Sequence, residues 1–185
     1  MKIIGDNSLV SWIKYPFLIC AAIFCISSVW IGSLAIIHIL AEKQDSMMYI
    51  SEKLYTVNDK TYDILQVQYP FSNMVFTVTD SREAIVLALL NMLTLSFSLI
   101  WASKIINEFS ADHIFTDKVV RNFKVLSFGL IIFGFITLLV DLIMETNQFD
   151  ITPPSLSIGI GITLLVMKEI FVQGSQLKEQ ADLTI

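Results

Sequence analysis

The sequence predicts an all-α polytopic membrane protein, a four-helix transmembrane bundle with a small β-hairpin or meander in its first extracytoplasmic loop. Of the 185 residues, 55% are hydrophobic and 16% are charged, whereas soluble chains average about 25% charged residues. Charges are absent from long continuous stretches, and the segment between the first two stretches has the alternating pattern of strands. Because spans and loops use nearly the whole chain, a separate soluble enzyme domain does not fit.

Four apolar segments are long enough to cross a bilayer. About 20 helical residues span the roughly 30 Å of hydrocarbon, and the first two segments reach this length without Asp, Glu, Lys or Arg. The third contains Asp141, and the fourth contains Lys168 and Glu169. We include the fourth because two consecutive prolines suit a helix start and Lys168 can extend to the interface. The predicted spans are 15–40, 84–103, 125–144 and 155–173.

The distribution of basic residues predicts the orientation of the spans. Of the 12 Lys and Arg residues, eight fall on the side of both termini and four on the opposite side. By the positive-inside rule, both termini are expected in the cytoplasm. Residues 41–83 then form an extracytoplasmic loop, 104–124 a cytoplasmic hairpin and 174–185 a cytoplasmic tail. The net charge of −5 comes mainly from the outer loop, and without a basic stripe we expect no direct nucleic-acid binding.

The outer loop is predicted to contain strands. Apolar residues alternate on both sides of Asn58 and Asp59, which favours a hairpin there, and a third strand is predicted after Pro70. This meander is too small to bury a core alone, so we expect it to pack on the outer helix ends. It is either a sensor or ligand cap, or a structured connector. The alternating residues are Tyr55, Val57, Tyr62, Ile64, Val67 and Tyr69, then Met74, Phe76 and Val78.

The cytoplasmic hairpin is predicted to be helical. Residues 104–109 extend the second helix, and Thr116 is expected to cap the third. Val119, Val120 and Phe123 give the hairpin an apolar face. This face would dock against the tail or receive a partner protein.

Polar residues inside the spans are the first candidates for function. Asn91, Thr94 and Ser98 share one stripe of the second span, where they would either bond across the bundle or line a solute path. His38, Asn91 and Asp141 are predicted to form a polar cluster in the outer leaflet that could relay protons. Alternatively, Asp141 extends to the interface.

Two further contacts are predicted between spans. At the cytoplasmic end, Glu169 is expected to point into the bundle and to pair with Arg121, which lies at a similar depth. Small residues at four-residue spacing predict close approach of helices. They are Ser28 and Gly32 in the first span and Ser157 and Gly161 in the fourth.

The sequence contains no catalytic or metal-binding constellation. Its two histidines are His38 and His113, and no pair of residues has metal-ligand spacing. Gly159 and Gly161 lack the strand and the acidic partner of a nucleotide-binding motif. We therefore expect a protein that is not an enzyme, has no metal or cofactor, and has the lipid bilayer as its main partner.

The C-terminal residues resemble a known family. They are Glu169, Ile170, Phe171, Gln173, Gly174, Leu177, Glu179, Asp182, Leu183, Thr184 and Ile185. They are similar to the ending E-x-F-x-x-G-x-x-L, then acidic residues and D-L-T-I, of the YoaS-like group of four-span bacterial inner-membrane proteins, a domain of unknown function. Phe115 followed by Asn122 is a second, weaker match, although Asp112 and His113 stand where the family usually has Gly.

The resemblance implies a bacterial inner-membrane location and a regulatory partner. Members are often encoded beside a small helix-turn-helix protein, which implies a switch in which the hairpin and the tail hold that regulator. A signal on the outer loop would release it. The candidate contact residues of the tail are Gly174, Leu177, Asp182, Leu183, Thr184 and Ile185.

Our primary expectation is thus a non-enzymatic sensor or anchor. Two other functions stay open. One is a small transport or peptide-immunity component that uses the outer polar cluster. The other is an accessory subunit of a larger membrane complex, contacted through the small-residue faces. A homo-oligomer is also open.

Overall fold

The computed structural model describes residues 8–41, 48–57, 60–69, 73–111, 114–143 and 151–183. Its four helices are all long and apolar enough to cross a membrane, and a three-stranded sheet lies between the first two. The predicted fold class is confirmed. The elements are α1 (Leu9–Ala41), β1 (Met48–Val57), β2 (Lys60–Gln68), β3 (Val75–Thr79), α2 (Arg82–Ser110), α3 (Asp117–Ile143) and α4 (Thr152–Leu183).

Local sequence signals account for where the helices begin. The Ser8 hydroxyl accepts a hydrogen bond from the Ser11 amide before α1, and Ser81 accepts one from the Ala84 amide before α2. Each bond satisfies an amide that has no partner inside the first helical turn. The two prolines that follow Thr152 need no such partner, and α4 begins there as predicted.

Two helices continue well past the apolar segments. α2 has 29 residues and continues to Ser110, as expected for 104–109. α4 has 32 residues, which corresponds to about 48 Å of helix. The predicted tail is therefore, as far as Leu183, the end of α4 rather than a separate segment. Thr184 and Ile185 lie outside the described residues.

The helices pack in chain order. The most extensive helix contacts join α3 to α4, α2 to α3 and α1 to α2. Consecutive helices are antiparallel, so the sheet lies where α1 ends and α2 begins. We call this end of the molecule the sheet end, and the opposite end, where α2 is followed by α3, the hairpin end.

The sheet is an antiparallel meander in the order β1-β2-β3. Val57 pairs with Lys60 across the hairpin, and Asn58 and Asp59 at its tip lie outside the described residues. β2 and β3 pair from Ile64 with Thr79 to Gln68 with Val75. The predicted three-strand meander is confirmed.

The sheet is held on the helices by one apolar core. Leu65 and Val67 of β2 are fully buried and belong to the same cluster as Ile31 and Leu34 of α1 and Ile85 of α2. Alternate residues of a strand face the same side, which explains why these two residues of β2 point together at the helices. The expected docking of the meander on the helix ends is confirmed.

Glycines allow α3 and α4 to approach backbone to backbone. A Cβ at Gly161 would lie 2.7 Å from Ile131 Cγ1 and 2.9 Å from the Ser127 carbonyl oxygen. A Cβ at Gly134 would lie 3.0 Å from the Pro154 carbonyl oxygen. Gly161 therefore has the close-packing role predicted for it. Gly32 of α1 has only an ordinary contact, because a Cβ there would lie 3.6 Å from Leu89.

The α3–α4 contact can be tested by adding one methyl group. Gly161→Ala should lower the free energy of unfolding by about 1–3 kcal/mol, because backbone atoms of α3 cannot give way easily. Gly159→Ala is the matched control, since no atom lies within 4 Å of a Cβ there and the helix-propensity change is the same. Unfolding in mild detergent, followed by tryptophan fluorescence, measures both. Equal stability of the two variants would contradict this packing.

Candidate functional site

At the sheet end, a histidine and an aspartate join α1 to the start of α2. His38 lies in the last turn of α1, and its Nε2 is 2.9 Å from Oδ1 of Asp80, which follows β3. The carboxylate accepts, so Nε2 donates. Both side chains are largely buried, with 13% and 23% of their surfaces exposed. A charge-assisted bond of this kind is stronger than a neutral one.

The neighbouring backbone holds Asp80 in place. Its amide donates to the Asp63 carbonyl oxygen, at 2.8 Å, and the next residue, Ser81, caps α2. A cavity of about 280 Å³ adjoins the pair and is also lined by Arg82 and Ile85. His38 Nδ1 is buried and has no hydrogen-bond partner in the part of the chain that the structure describes. This arrangement fixes the angle between α1 and the sheet.

Two members of the polar cluster predicted from His38, Asn91 and Asp141 do not bond to each other. His38 bonds to Asp80 instead, and the Asn91 side chain is exposed on the outside of α2. Asp141 is buried near the end of α3. The cluster was predicted because the three residues lie at similar depths along their spans. Which side chains meet also depends on the direction in which each side chain points around its helix axis.

Four hydroxyl groups in the spans are hydrogen-bonded within their own helices, whereas the buried Ser96 hydroxyl of α2 has no partner among the described residues. Thr94 donates to the Leu90 carbonyl oxygen at 2.8 Å, and Ser98 donates to that of Thr94 at 2.7 Å. Ser127 and Thr137 of α3 donate in the same way, four residues back. The stripe of α2 therefore neither bonds across the bundle through these hydroxyls nor presents them to a solute.

At the hairpin end, phenylalanines from three helices form one aromatic cluster. The Phe171 ring of α4 stacks on Phe123 of α3, with centroids 5.0 Å apart, and lies 5.6 Å from Phe109 of α2. Phe115, from the turn between α2 and α3, lies 5.9 Å from Phe171 on another side. Offset and tilted aromatic pairs of this kind add to the free energy gained from burial alone. The hairpin therefore docks on α4 at Phe171, just before the tail against which its apolar face was expected to dock.

The Phe115 ring packs directly against Gly174 of α4. A Cβ at this position would overlap the ring of Phe115. Phe171 and Gly174 are one turn apart on α4, so one face of the helix provides both the stacking partner and the space. Gly174 thus makes a contact within the protein. It is not a free contact residue of the tail.

The remaining residues of the predicted tail lie beyond this cluster. Leu177 is 66% exposed, although it is apolar. Asp182 and Leu183 belong to the last turn of α4, and only their backbone is described. Thr184 and Ile185 lie outside the described residues.

The predicted ion pair between Glu169 and Arg121 is not formed among the described residues. Glu169 pairs with its neighbour Lys168 and is exposed, so it does not point into the bundle. Arg121 is exposed and lines a cavity between α2 and α3. Residue 169 precedes Gly174 by five positions, so it lies about 140° away from Gly174 around α4 and faces away from the hairpin contact.

Two contacts of the candidate site were not predicted from the sequence. Asp80 stands between a strand and a helix cap, and nothing in its spacing points to His38, which is 42 positions away. Phe115 and Gly174 both belong to the residues that resemble the family, which indicated that each is important. The sequence does not show that the two residues are in contact. Among the described residues, no group of three or more His, Cys, Asp or Glu side chains is placed to hold a metal ion.

Comparison with known proteins gave one match. A model of the family described as "Protein of unknown function (DUF2975)" matches residues 5–185, nearly the whole chain. The expectation of a family with a domain of unknown function is confirmed, whereas the narrower YoaS-like grouping stays a resemblance. No curated protein and no solved structure matched.

The bond between His38 and Asp80 can be measured by a double-mutant cycle. His38→Ala and Asp80→Ala should show a coupling energy of about 1 kcal/mol, because the bond is charge-assisted but Asp80 is partly exposed. Unfolding in mild detergent gives the four stabilities that the cycle needs. Asp63→Ala is the control partner, since its side chain is exposed on the same sheet. A coupling of His38 to Asp63 as large as that to Asp80 would refute a specific bond.

The packing of Phe115 against Gly174 can be tested by a substitution in α4. Gly174→Val should displace the ring and speed amide hydrogen exchange in residues 114–124 by at least about tenfold, equivalent to about 1.4 kcal/mol of local stability. Gln173→Val is the matched control, because residue 173 is exposed on the neighbouring position. Exchange should be followed by mass spectrometry of the full chain in detergent. Unchanged exchange in Gly174→Val would show that the ring is not a structural contact.

Proposed function

The chain belongs to the DUF2975 family, and we propose that it is a non-enzymatic sensor or anchor protein. In this proposal the hairpin end faces the cytoplasm of a bacterial inner membrane and holds a small helix-turn-helix regulator, and the sheet end faces outward. The positive-inside distribution of Lys and Arg supports the orientation. The family resemblance supports the class of partner.

One observation carries the proposal: α2 is a single continuous helix that belongs to the cores at both ends. Ile85 and Leu89 contribute to the core under the sheet. Ile105 and Phe109 contribute to the core at the hairpin end. A shift of the sheet therefore displaces a helix that also supports the aromatic cluster. Such a shift would change the relative stability of two packing arrangements, which is what a membrane sensor requires.

The surface for the partner lies beyond the aromatic cluster. The cluster holds α4 against the turn between α2 and α3, so the last turns of α4 project from a fixed base. Leu177 is an exposed apolar residue among polar neighbours on this projection. Exposed apolar residues with a polar rim are typical of contact surfaces between proteins.

The proposal is preferred to transport for a physical reason. Solute paths through spans are lined by polar groups that are available to the solute. Here the hydroxyls of Thr94, Ser98 and Thr137 are engaged with their own helices. Of the three residues offered for proton transfer, His38 is bonded to Asp80 and Asn91 is exposed on α2.

The test is purification of the full-length protein, gently solubilised from its native membrane, with mass spectrometry of what is bound. A small DNA-binding protein should copurify with the wild type. Leu177→Asp should reduce its yield by at least about tenfold, because an unpaired charge at an apolar contact costs well over 1.4 kcal/mol. The charge lies in water in the free protein, so the fold should be unaffected.

The control is Met74→Asp. Met74 is 71% exposed at the opposite end of the molecule, and its replacement makes the same chemical change. It should leave capture unchanged. If only membrane proteins copurify, the accessory-subunit function is favoured instead. If nothing copurifies and Asp141→Asn abolishes a transport or resistance phenotype, the sensor proposal fails.

A further inference from the structure

The hairpin end contains a basic cavity between α2 and α3 that the proposed function does not use. Its volume is about 340 Å³. Three cationic side chains and one carboxylate line it, which leaves a small positive excess. That excess suits a single phosphate rather than a polyphosphate. The lining residues are Trp101, Lys104, Asn107, Glu108, Lys118, Arg121, Asn122 and Val125.

One largely buried amide of this cavity has no hydrogen-bond partner among the described residues. Asn122 is only 8% exposed and lines the cavity, and its side chain makes no hydrogen bond to another described residue. Its polar atoms are not fully enclosed, so they open onto the cavity and can reach a hydrogen-bonding group inside it. The amide therefore points to a ligand with hydrogen-bonding oxygens. Lys118 and Arg121 likewise have no acidic partner in the described part of the chain.

From the limits of the apolar stretches, we infer that the cavity lies at the depth of lipid headgroups. The apolar stretch of α2 ends directly before Lys104, and that of α3 begins directly after Lys124. The Lys104 ammonium lies 3.6 Å from the centroid of the Trp101 ring. Tryptophan is enriched at the membrane interface, and a cation over its face is held in a fixed position. The charged wall thus opens where hydrocarbon gives way to headgroups.

An apolar path leads from the cavity along α3 into the hydrocarbon. Arg121, Val125, Phe128 and Ile132 recur at intervals of four, three and four residues, so they share one face of the helix. Phe128 and Ile132 are about half exposed. A ligand with an anionic head and an apolar tail matches this face along its whole length, whereas a free anion matches only the cavity.

We propose that this cavity binds the phosphate of an anionic phospholipid. Lys118 and Arg121 contact the phosphate oxygens, Asn122 donates a hydrogen bond to one of them, and the acyl chains lie along Phe128 and Ile132. Basic cavities between spans are suited to anionic headgroups, and this assignment is independent of the proposed partner protein.

The test is native mass spectrometry of the delipidated full-length protein in detergent, titrated with phosphatidylglycerol. Phosphatidylcholine is the second arm and glycerol phosphate is the third. Phosphatidylglycerol should bind at least about tenfold more tightly than either, because only it combines net negative charge with acyl chains. Equal binding of phosphatidylcholine overturns the charge argument. Equal binding of glycerol phosphate shows a site for soluble anions and overturns the lipid assignment.

Substitutions then locate the site. Lys118→Gln combined with Arg121→Gln should weaken phosphatidylglycerol binding at least about tenfold. Both side chains are exposed, so the fold should be retained. Lys124→Gln is the matched control, because this exposed lysine of α3 does not line the cavity. Unchanged affinity in the double variant, or an equal loss in the control, overturns the assignment. Asn122→Leu provides a second variant, in which a smaller loss is expected.

Discussion

The thickness of the bilayer is the constraint on which the rest of this structure depends. Hydrocarbon of about 30 Å needs only about 20 helical residues, yet α2 has 29 and α4 has 32. The excess turns lie where water competes for their backbone and side chains, so they need contacts of their own. At the hairpin end the four phenylalanines provide those contacts. At the sheet end Leu65 and Val67 provide them by covering the ends of α1 and α2.

Different forces hold the middle and the ends of the molecule together. Inside the bilayer apolar side chains gain little by leaving lipid, so helices associate mainly through close packing. Gly134 and Gly161 permit it between α3 and α4, and Gly129 permits it between α3 and the Phe97 ring of α2. Outside the bilayer the hydrophobic effect acts in full. The members of the two end cores that lie outside the predicted spans, among them Leu65, Val67, Phe109 and Phe123, therefore add to what fixes the helices relative to one another.

The sequence predicted well those features that depend on one period or one local signal. Long uncharged stretches predicted the spans, alternation predicted the meander, and the paired prolines predicted the start of α4. Contacts between distant segments were predicted poorly, because depth in the membrane does not determine rotation about a helix axis. That is why Asn91 faces outward, Glu169 pairs with Lys168, and His38 meets Asp80. The docking of the sheet on the helix ends was predicted correctly, because a small apolar face has few surfaces on which it can be buried.

The two parts of the family resemblance meet in the fold. Phe115 and Gly174 are far apart in sequence, and each provides what the other needs, a ring and the space for it. Two neighbouring residues of α3, Asn122 and Phe123, lie close to this contact. Asn122 lines the basic cavity, while Phe123, its neighbour, stacks on Phe171. Because consecutive helical residues point about 100° apart, this turn of α3 has the cavity on one side and the aromatic cluster on the other. Occupancy of the cavity would therefore act on the same turn that holds α4 in place.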